Sequence, residues 1–137
     1  MSLRDNKTIV LRLLSELGRG NLKVVDKVCS PDFAFHSPNF PNWPRGLEGA
    51  RALATAGSSL FSDSQSTIED VFAAEDKVVV RFSIRGTYVG EPKAGFPAPG
   101  ERFSMGAVAI YRMVDGQIVD DWGIQVSCSS AQNDPWS

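Results

Sequence analysis

The chain of 137 residues has a formal net charge of −2, and 22% of its residues are charged. This length fits one domain, so we expect residues 1–137 to form a single domain. The charge excludes the basic surface of a nucleic-acid-binding protein, and no apolar run approaches the roughly 20 residues of a membrane span. Without an apolar leader, and with two cysteines far apart in the sequence, we expect a cytoplasmic protein with reduced thiols.

Two helices are predicted at the start of the chain. Ser2 and Asp5 have the spacing of a capping box, and apolar residues then recur at helical intervals over 9–17. A short second helix is predicted with Asn21 as its N-cap and Pro31 at its end. Together these segments form a helical pair.

The remaining elements are predicted to be one further helix and a series of long strands. Prolines and asparagines in 32–46 indicate a short strand that enters an irregular, aromatic-rich loop. A helix follows over 47–61. Two strands joined by a tight turn at Glu75–Asp76 and a hairpin around Asp115–Gly116 complete the chain.

Helices followed by antiparallel strands are typical of an α+β domain, with the helices on one side of a sheet. Strands of ten or more residues must twist and curl strongly. We therefore predict a curved antiparallel sheet that forms a cone, with the amino-terminal helices over its concave face. A cone of this kind encloses a ligand cavity.

The last strand places two carboxylates and a tryptophan side by side. Neighbouring residues of a strand point to opposite faces, so only one of Asp120 and Asp121 can enter the cavity. In a regular hairpin register, one face carries Tyr111, Asp120 and Trp122, and the other carries Asp121, Gly123 and Gln125. A single bulge would exchange the faces beyond it, so the choice between the two aspartates stays open.

The common catalytic and cofactor motifs are absent from the sequence. A single histidine, His36, cannot build a histidine-based zinc site, and no glycine-rich nucleotide loop is present. We therefore expect no metal and no cofactor. As the sole imidazole, His36 could act as a general base near neutral pH, or it could serve the structure alone.

Several segments taken in order resemble one family along nearly the whole chain. They are "GRGNLKVVDKV", "PDFAFHSP", "PRGLEGARAL", "DKVVVRFSIRGTYVG", "GFPAPGERFS" and "AVAIYRMVDGQIVDDW". The family is that of the SnoaL-like polyketide cyclases, within the nuclear-transport-factor-2-like superfold. The resemblance implies a cone with an apolar cavity for a flat polyketide or similar molecule, and pairing of two copies through the outer sheet face.

The resemblance also implies a reaction, in which a strand carboxylate removes an acidic proton beside a carbonyl without any cofactor. It places the acid/base aspartate of the family at Gly123 and the assisting histidine at Ala109. The missing side chain of Gly123 is expected to enlarge the cavity. Asp121 could replace the base if the strand is bulged, His36 could act from the opposite wall, and Gln125 could only donate or accept hydrogen bonds.

We therefore predict a cyclase or isomerase that acts on a small apolar carbonyl compound by proton transfer, with His36 and Asp121 as catalytic residues. The predicted cavity residues are Phe40, Trp43, Met105, Ala109, Tyr111, Trp122, Gly123 and Gln125. The expected partners are a small apolar or aromatic molecule and a second copy of the chain. The alternatives are a binding protein with the same cavity and no turnover, and a cofactor-independent hydroxylase.

Overall fold

The structure, a computed structural model, describes residues 2–92, 94 and 96–130, without the side chains of residues 57, 58 and 125–130. The elements are α1 (Leu3–Gly18), α2 (Lys23–Val28), β1 (Cys29–His36), α3 (Gly46–Leu60), β2 (Phe61–Ala74), β3 (Lys77–Tyr88), β4 (Arg102–Val114) and β5 (Gln117–Ser130). No helix within the described part is long and apolar enough to cross a membrane.

The strands form one curved, unclosed sheet in the order β1-β5-β4-β3-β2. The predicted α+β class is confirmed. Three of the four strand pairs are antiparallel as predicted, but β1 runs parallel to β5. The one parallel pair of the described sheet joins β1, which precedes α3, to the last strand, β5, at the edge of the sheet.

The first helix begins as predicted and the second does not. The Ser2 hydroxyl accepts from the Asp5 amide at 3.1 Å, and the Asp5 carboxylate accepts from the Ser2 amide, which confirms the capping box. The N-cap of α2 is Leu22 and not Asn21. The Asn21 side chain still accepts a hydrogen bond from the amide of Lys23, the first residue of the helix. Pro31 lies inside β1 and not at the end of α2, because the chain passes directly from helix to strand.

The larger of two hydrophobic clusters lies between the helices and the concave face of the sheet. Val10 from α1 and Val25 from α2 are 0% and 1% exposed, and they belong to the same cluster as Val78 and Val80 of β3 and Ile118 of β5. Burial of these branched side chains supplies the main stabilisation, at roughly 1.5–3 kcal/mol for each fully buried aliphatic side chain. The core therefore fixes the helices over the inner sheet face.

The β4–β5 hairpin turns where the sequence predicts. Asp115 and Gly116 have φ values of 50° and 79°, as a two-residue type I′ turn requires, and Val114 pairs with Gln117. A glycine meets this requirement at no steric cost. The start of the hairpin is thus set by the turn chemistry.

Beyond the turn, the pairing shifts by one residue. Met113 pairs with Ile118, and Arg112, the residue before Met113 on β4, pairs with Asp120. Val119 is therefore the extra residue of a β-bulge. The predicted pairing of Tyr111 with Asp120 was therefore wrong. The bulge exchanges the faces of the residues that follow it on β5 as far as Gln125, beyond which a second register shift occurs.

Candidate functional site

A cavity of about 510 Å³ lies between the helices and the concave sheet face, and its lining is mostly apolar. Helices α1 and α3 supply leucines and alanines, and strands β3 and β4 supply Phe82, Ile84, Met105 and Ala107. Small side chains on α3 and on the middle of β4 leave this volume unfilled. The space is large enough for a drug-sized ligand, since such sites usually measure about 300–1,000 Å³.

The loop between β1 and α3 places aromatic rings on the cavity. The indole N–H of Trp43 donates to the carbonyl of Gly49 at 2.9 Å, which ties the loop to the first turns of α3. The rings of Phe35 and Phe40 pack edge-on against Trp43, with centroids 5.6 and 5.4 Å away. These contacts give the aromatic wall a defined shape.

Asp121 is the one ionisable carboxyl among the described residues that line the cavity, and no Lys, Arg or His is among them. The bulge on β5 turns its side chain inward, between Phe35 on β1 and Tyr111 on β4. Asp121 is 6% exposed, and within the described structure its Oδ1 has no hydrogen-bond partner. Burial raises the pKa of Asp121 to about 7.

Two neutral polar groups accompany Asp121. Burial raises the pKa of Tyr111 well above 10, and the charge of Asp121 raises it further. Burial, followed by the charges of Asp121 and Asp26, raises the pKa of Cys29 to about 12. Tyr111 and Cys29 therefore keep their protons near neutral pH. The polar end of the cavity consists of one carboxyl beside a phenol and a thiol.

The opposite face of the sheet carries a different cluster. The Asp120 carboxylate is held by His36 Nε2 at 2.8 Å and by Arg112 Nε at 2.7 Å, and the His36 ring stacks on Trp122 with centroids 5.2 Å apart. Burial raises the pKa of Asp120, but the hydrogen bonds from His36 and Arg112 outweigh this effect, so that the pKa lies below its ordinary value. This carboxylate is committed to ion pairing.

The sequence model of the SnoaL-like polyketide cyclases matches residues 8–127. The chain belongs to the SnoaL-like polyketide cyclase family. A curated relative, the aklanonic acid methyl ester cyclase DauD of Streptomyces sp. (strain C5), is 29% identical over 117 residues, which are 82% of this chain and 69% of that protein.

Solved structures of similar proteins have the same fold. TsrD from Streptomyces laurentii is 29% identical, with a TM-score of 0.74 over 92% of this chain and 91% of its own. A SnoaL-like protein from Jannaschia sp. CCS1 is 25% identical, with a TM-score of 0.76 over 90% of this chain and 86% of its own. The predicted family and its cone-shaped fold are thus confirmed.

The positions that the SnoaL-like resemblance assigns to the acid and base of the reaction carry no functional group here. Ala109 and Gly123 face each other across the β4–β5 ladder on the inner side. A Cβ atom on Gly123 would lie 2.9 Å from Cε1 of Phe35. The expectation that Gly123 enlarges the cavity was therefore wrong, because the Phe35 ring occupies this space.

Most of the predicted cavity residues line the cavity. They are Phe40, Trp43, Met105, Ala109, Tyr111 and Gly123, and the predicted catalytic residue Asp121 lines it as well. His36 and Trp122 do not, because the bulge and the parallel pairing of β1 with β5 turn both side chains to the outer face. The side chain of Gln125 lies outside the described residues. Sequence reasoning missed Phe35 and Cys29, although their alternation along β1 with Phe33 could have indicated an inner face.

Proposed function

We propose that the protein is a cofactor-free cyclase or isomerase that acts on a small apolar carbonyl compound, with Asp121 as its general base. The observation that carries the proposal is a buried carboxyl at the end of an apolar cavity, with its pKa raised to about 7 by burial. A base with its pKa near the working pH combines a useful ionised fraction with real basicity.

The reaction needs no group beyond the substrate and Asp121. The carboxylate takes a proton from a carbon beside a carbonyl, and the C–H electron pair moves toward the carbonyl oxygen to give an enolate. In a cyclisation, the enolate carbon attacks a second carbonyl of the same molecule, and the alkoxide formed takes the proton back from Asp121. A positioned base contributes about 10²–10⁴-fold to the rate, and the cavity adds the advantage of holding the two ends together.

The lining supports a flat and uncharged substrate. The described lining residues include no cation that could balance a substrate carboxylate, and an unpaired charge is costly in an apolar cavity. The relative DauD is named for a substrate whose acid is masked as a methyl ester. We infer that this protein also takes a neutral, aromatic or polyketide-like carbonyl compound.

The position of His36 does not support a role as base. Its Nε2 atom pairs with Asp120, and its side chain is 42% exposed on the face opposite the cavity. We therefore assign the proton transfer to Asp121 alone.

The proposal is tested by exchange of an acidic C–H bond. The protein is incubated in D₂O with 2-tetralone, a bicyclic ketone whose C1 protons are acidic, and deuterium uptake is followed by proton NMR. We expect the wild type to accelerate the uptake and Asp121→Asn to lower the rate by about 10²–10⁴-fold. Asp120→Asn, the adjacent carboxylate on the other face, is the matched control and should keep the wild-type rate.

Two results would favour other readings. Binding of 2-tetralone, seen as a change in fluorescence of Trp43, together with uptake no faster than in buffer, would favour the binding protein without turnover. Equal loss of exchange in both aspartate variants would assign the carboxylates to stability. Conversion of aklanonic acid methyl ester, followed by chromatography, would extend the activity to the substrate of the relative.

We also propose that the chain forms a homodimer through the outer sheet face. Phe72 pairs with Val79, between the inward-facing Val78 and Val80, and so lies on the outer face, where it is 56% exposed. Sedimentation velocity of the wild type and of Phe72→Glu tests this: a dimer that the substitution dissociates supports the proposal, and a monomeric wild type contradicts it. The cytoplasmic location remains a prediction.

A further inference from the structure

The polar end of the cavity holds a second group with the chemistry to take part in the reaction. Tyr111 lies directly opposite Asp121 in the β4–β5 ladder. Side chains of directly opposed residues start about 4.5–5.5 Å apart and point to the same face. Tyr111 lines the same cavity as Asp121 and, like it, is 6% exposed.

The hydroxyl of Tyr111 is available to a ligand. Buried tyrosine hydroxyls usually have a hydrogen-bond partner. The other tyrosine of the chain, Tyr88, follows this rule and donates to the carbonyl of Glu91. For Tyr111, no residue of the described part accepts or donates such a bond. The cavity is therefore the place where its partner must come from.

We propose that Tyr111 is a second catalytic residue, whose hydroxyl donates a hydrogen bond to the substrate carbonyl oxygen while Asp121 removes the proton from the adjacent carbon. The inference rests on the proposed proton transfer. When the C–H bond breaks, the electron pair moves to the carbonyl oxygen, and the hydrogen bond from Tyr111 stabilises the charge that develops there. Tyr111 keeps its own proton throughout.

The neighbourhood suits a donor rather than a second base. Tyr111 belongs both to the cavity wall and to the solid core around Val78 and Ile118, so its ring is held firmly. A preorganised donor of this kind costs no rearrangement when the charge develops. Cys29 is the other neutral donor nearby, but a thiol is a weak hydrogen-bond donor.

The test combines a rate and an affinity. Tyr111→Phe keeps the ring and removes only the hydroxyl. We expect kcat for deuterium exchange of 2-tetralone to fall by about 10²–10³-fold, as for loss of one oxyanion donor, and KM to rise by no more than about tenfold, through loss of the hydrogen bond to the ketone. Tyr88→Phe, which also removes a buried hydroxyl but outside the cavity, should keep the wild-type rate.

The affinity measurement does not depend on turnover. 2-Tetralone and tetralin have the same shape and differ in the carbonyl oxygen. We expect the wild type to prefer the ketone by about tenfold, and Tyr111→Phe to bind both equally. A preference that survives in Tyr111→Phe, that is lost instead in Cys29→Ala, or that is absent from the wild type would overturn the inference. Loss of the preference in Tyr111→Phe without exchange in the wild type would refute the proton transfer and keep the hydrogen bond.

Discussion

Asp120 and Asp121 are neighbours in sequence and lie in opposite environments. Asp120 faces outward and is held by His36 and Arg112, so that its pKa lies below the ordinary value. Asp121 faces the cavity, where burial raises its pKa to about 7 and Oδ1 has no partner in the described structure. The same side chain is thus an ion-paired carboxylate on one face and a buried carboxyl with a raised pKa on the other.

The difference teaches that environment and not residue type assigns the role. The outer carboxylate gains stability from its partners, whereas the inner one lowers the stability of the folded chain whenever it is charged. A fold retains such a cost where function needs it, which is why perturbed carboxyls mark candidate sites.

The largest expected effect is on the pH dependence of exchange. The titratable groups that face Asp121 are Tyr111 and Cys29, and both stay neutral up to high pH. The exchange rate of 2-tetralone should therefore rise about tenfold per pH unit below pH 7 and level off above it, as Asp121 ionises. NMR measurements from pH 5 to 9 check this. A midpoint near pH 4 would erase the contrast between the two aspartates.

The second effect is on stability. The pKa of Asp121 is about 7 in the folded protein, against an ordinary value of 3.8 for the unfolded chain, so the folded state binds the proton more tightly. Stability is therefore lost as the pH rises from about 4 to 7. The shift corresponds to about 4 kcal/mol above pH 7. Asp121→Asn should raise the free energy of unfolding at pH 8 by about 2 kcal/mol, since the amide still lacks partners.

Urea unfolding at pH 8 and pH 4 measures this gain, which should vanish at pH 4, where the wild-type carboxyl is already neutral in the folded state. Asp120→Asn is the matched variant and should lose stability at pH 8. A stability gain for Asp121→Asn that is the same at both pH values would contradict the assignment to ionisation.

The third effect concerns Phe35, whose ring occupies the space beside Gly123 on the inner face of the sheet. Gly123→Ala should cost about 1–3 kcal/mol, because its Cβ would lie 2.9 Å from Phe35. In the background of Phe35→Leu the same substitution should cost much less. Equal costs of Gly123→Ala in the two backgrounds, measured by urea unfolding, would show that the Phe35 ring does not set the shape of this wall.

The smallest effects are expected from the outer partners. His36→Ala should lower the free energy of unfolding by less than about 1 kcal/mol, because an exposed ion pair usually contributes no more than this. It should leave the exchange rate unchanged. Arg112→Ala, which removes the better-buried partner of Asp120, should cost somewhat more. A loss of exchange in His36→Ala at unchanged stability would move the base to the outer face and reverse the comparison.

Local signals in the sequence were sufficient for much of the fold. The capping box of Ser2 and Asp5 and the turn at Asp115–Gly116 were predictable because each depends on residues close in sequence. Tyr111 and Met105 were among the predicted cavity residues, and both lie on the cavity wall. The parallel pairing of β1 with β5 was not predictable, because it depends on how the chain returns through α3.

The candidate site depended on one feature that the sequence does not mark. Val119 is an ordinary strand residue, with neither glycine nor proline to indicate a bulge, and yet it decides which faces Asp120 and Trp122 occupy. The structure places Phe40 and Trp43 on the cavity wall, as the loop sequence predicts, whereas Trp122 lies on the outer face.

The bulge at Val119 has a consequence for the divergence of such chains. A carboxylate on β5 faces either solvent or the cavity. Which face it takes depends on whether an odd or an even number of paired positions separates it from the hairpin turn. Insertions and deletions of one residue in this short stretch can therefore invert a site while every amino acid in it is conserved. In this stretch, residues of homologues should first be matched by the strand face they occupy, and only then by their column in a sequence alignment.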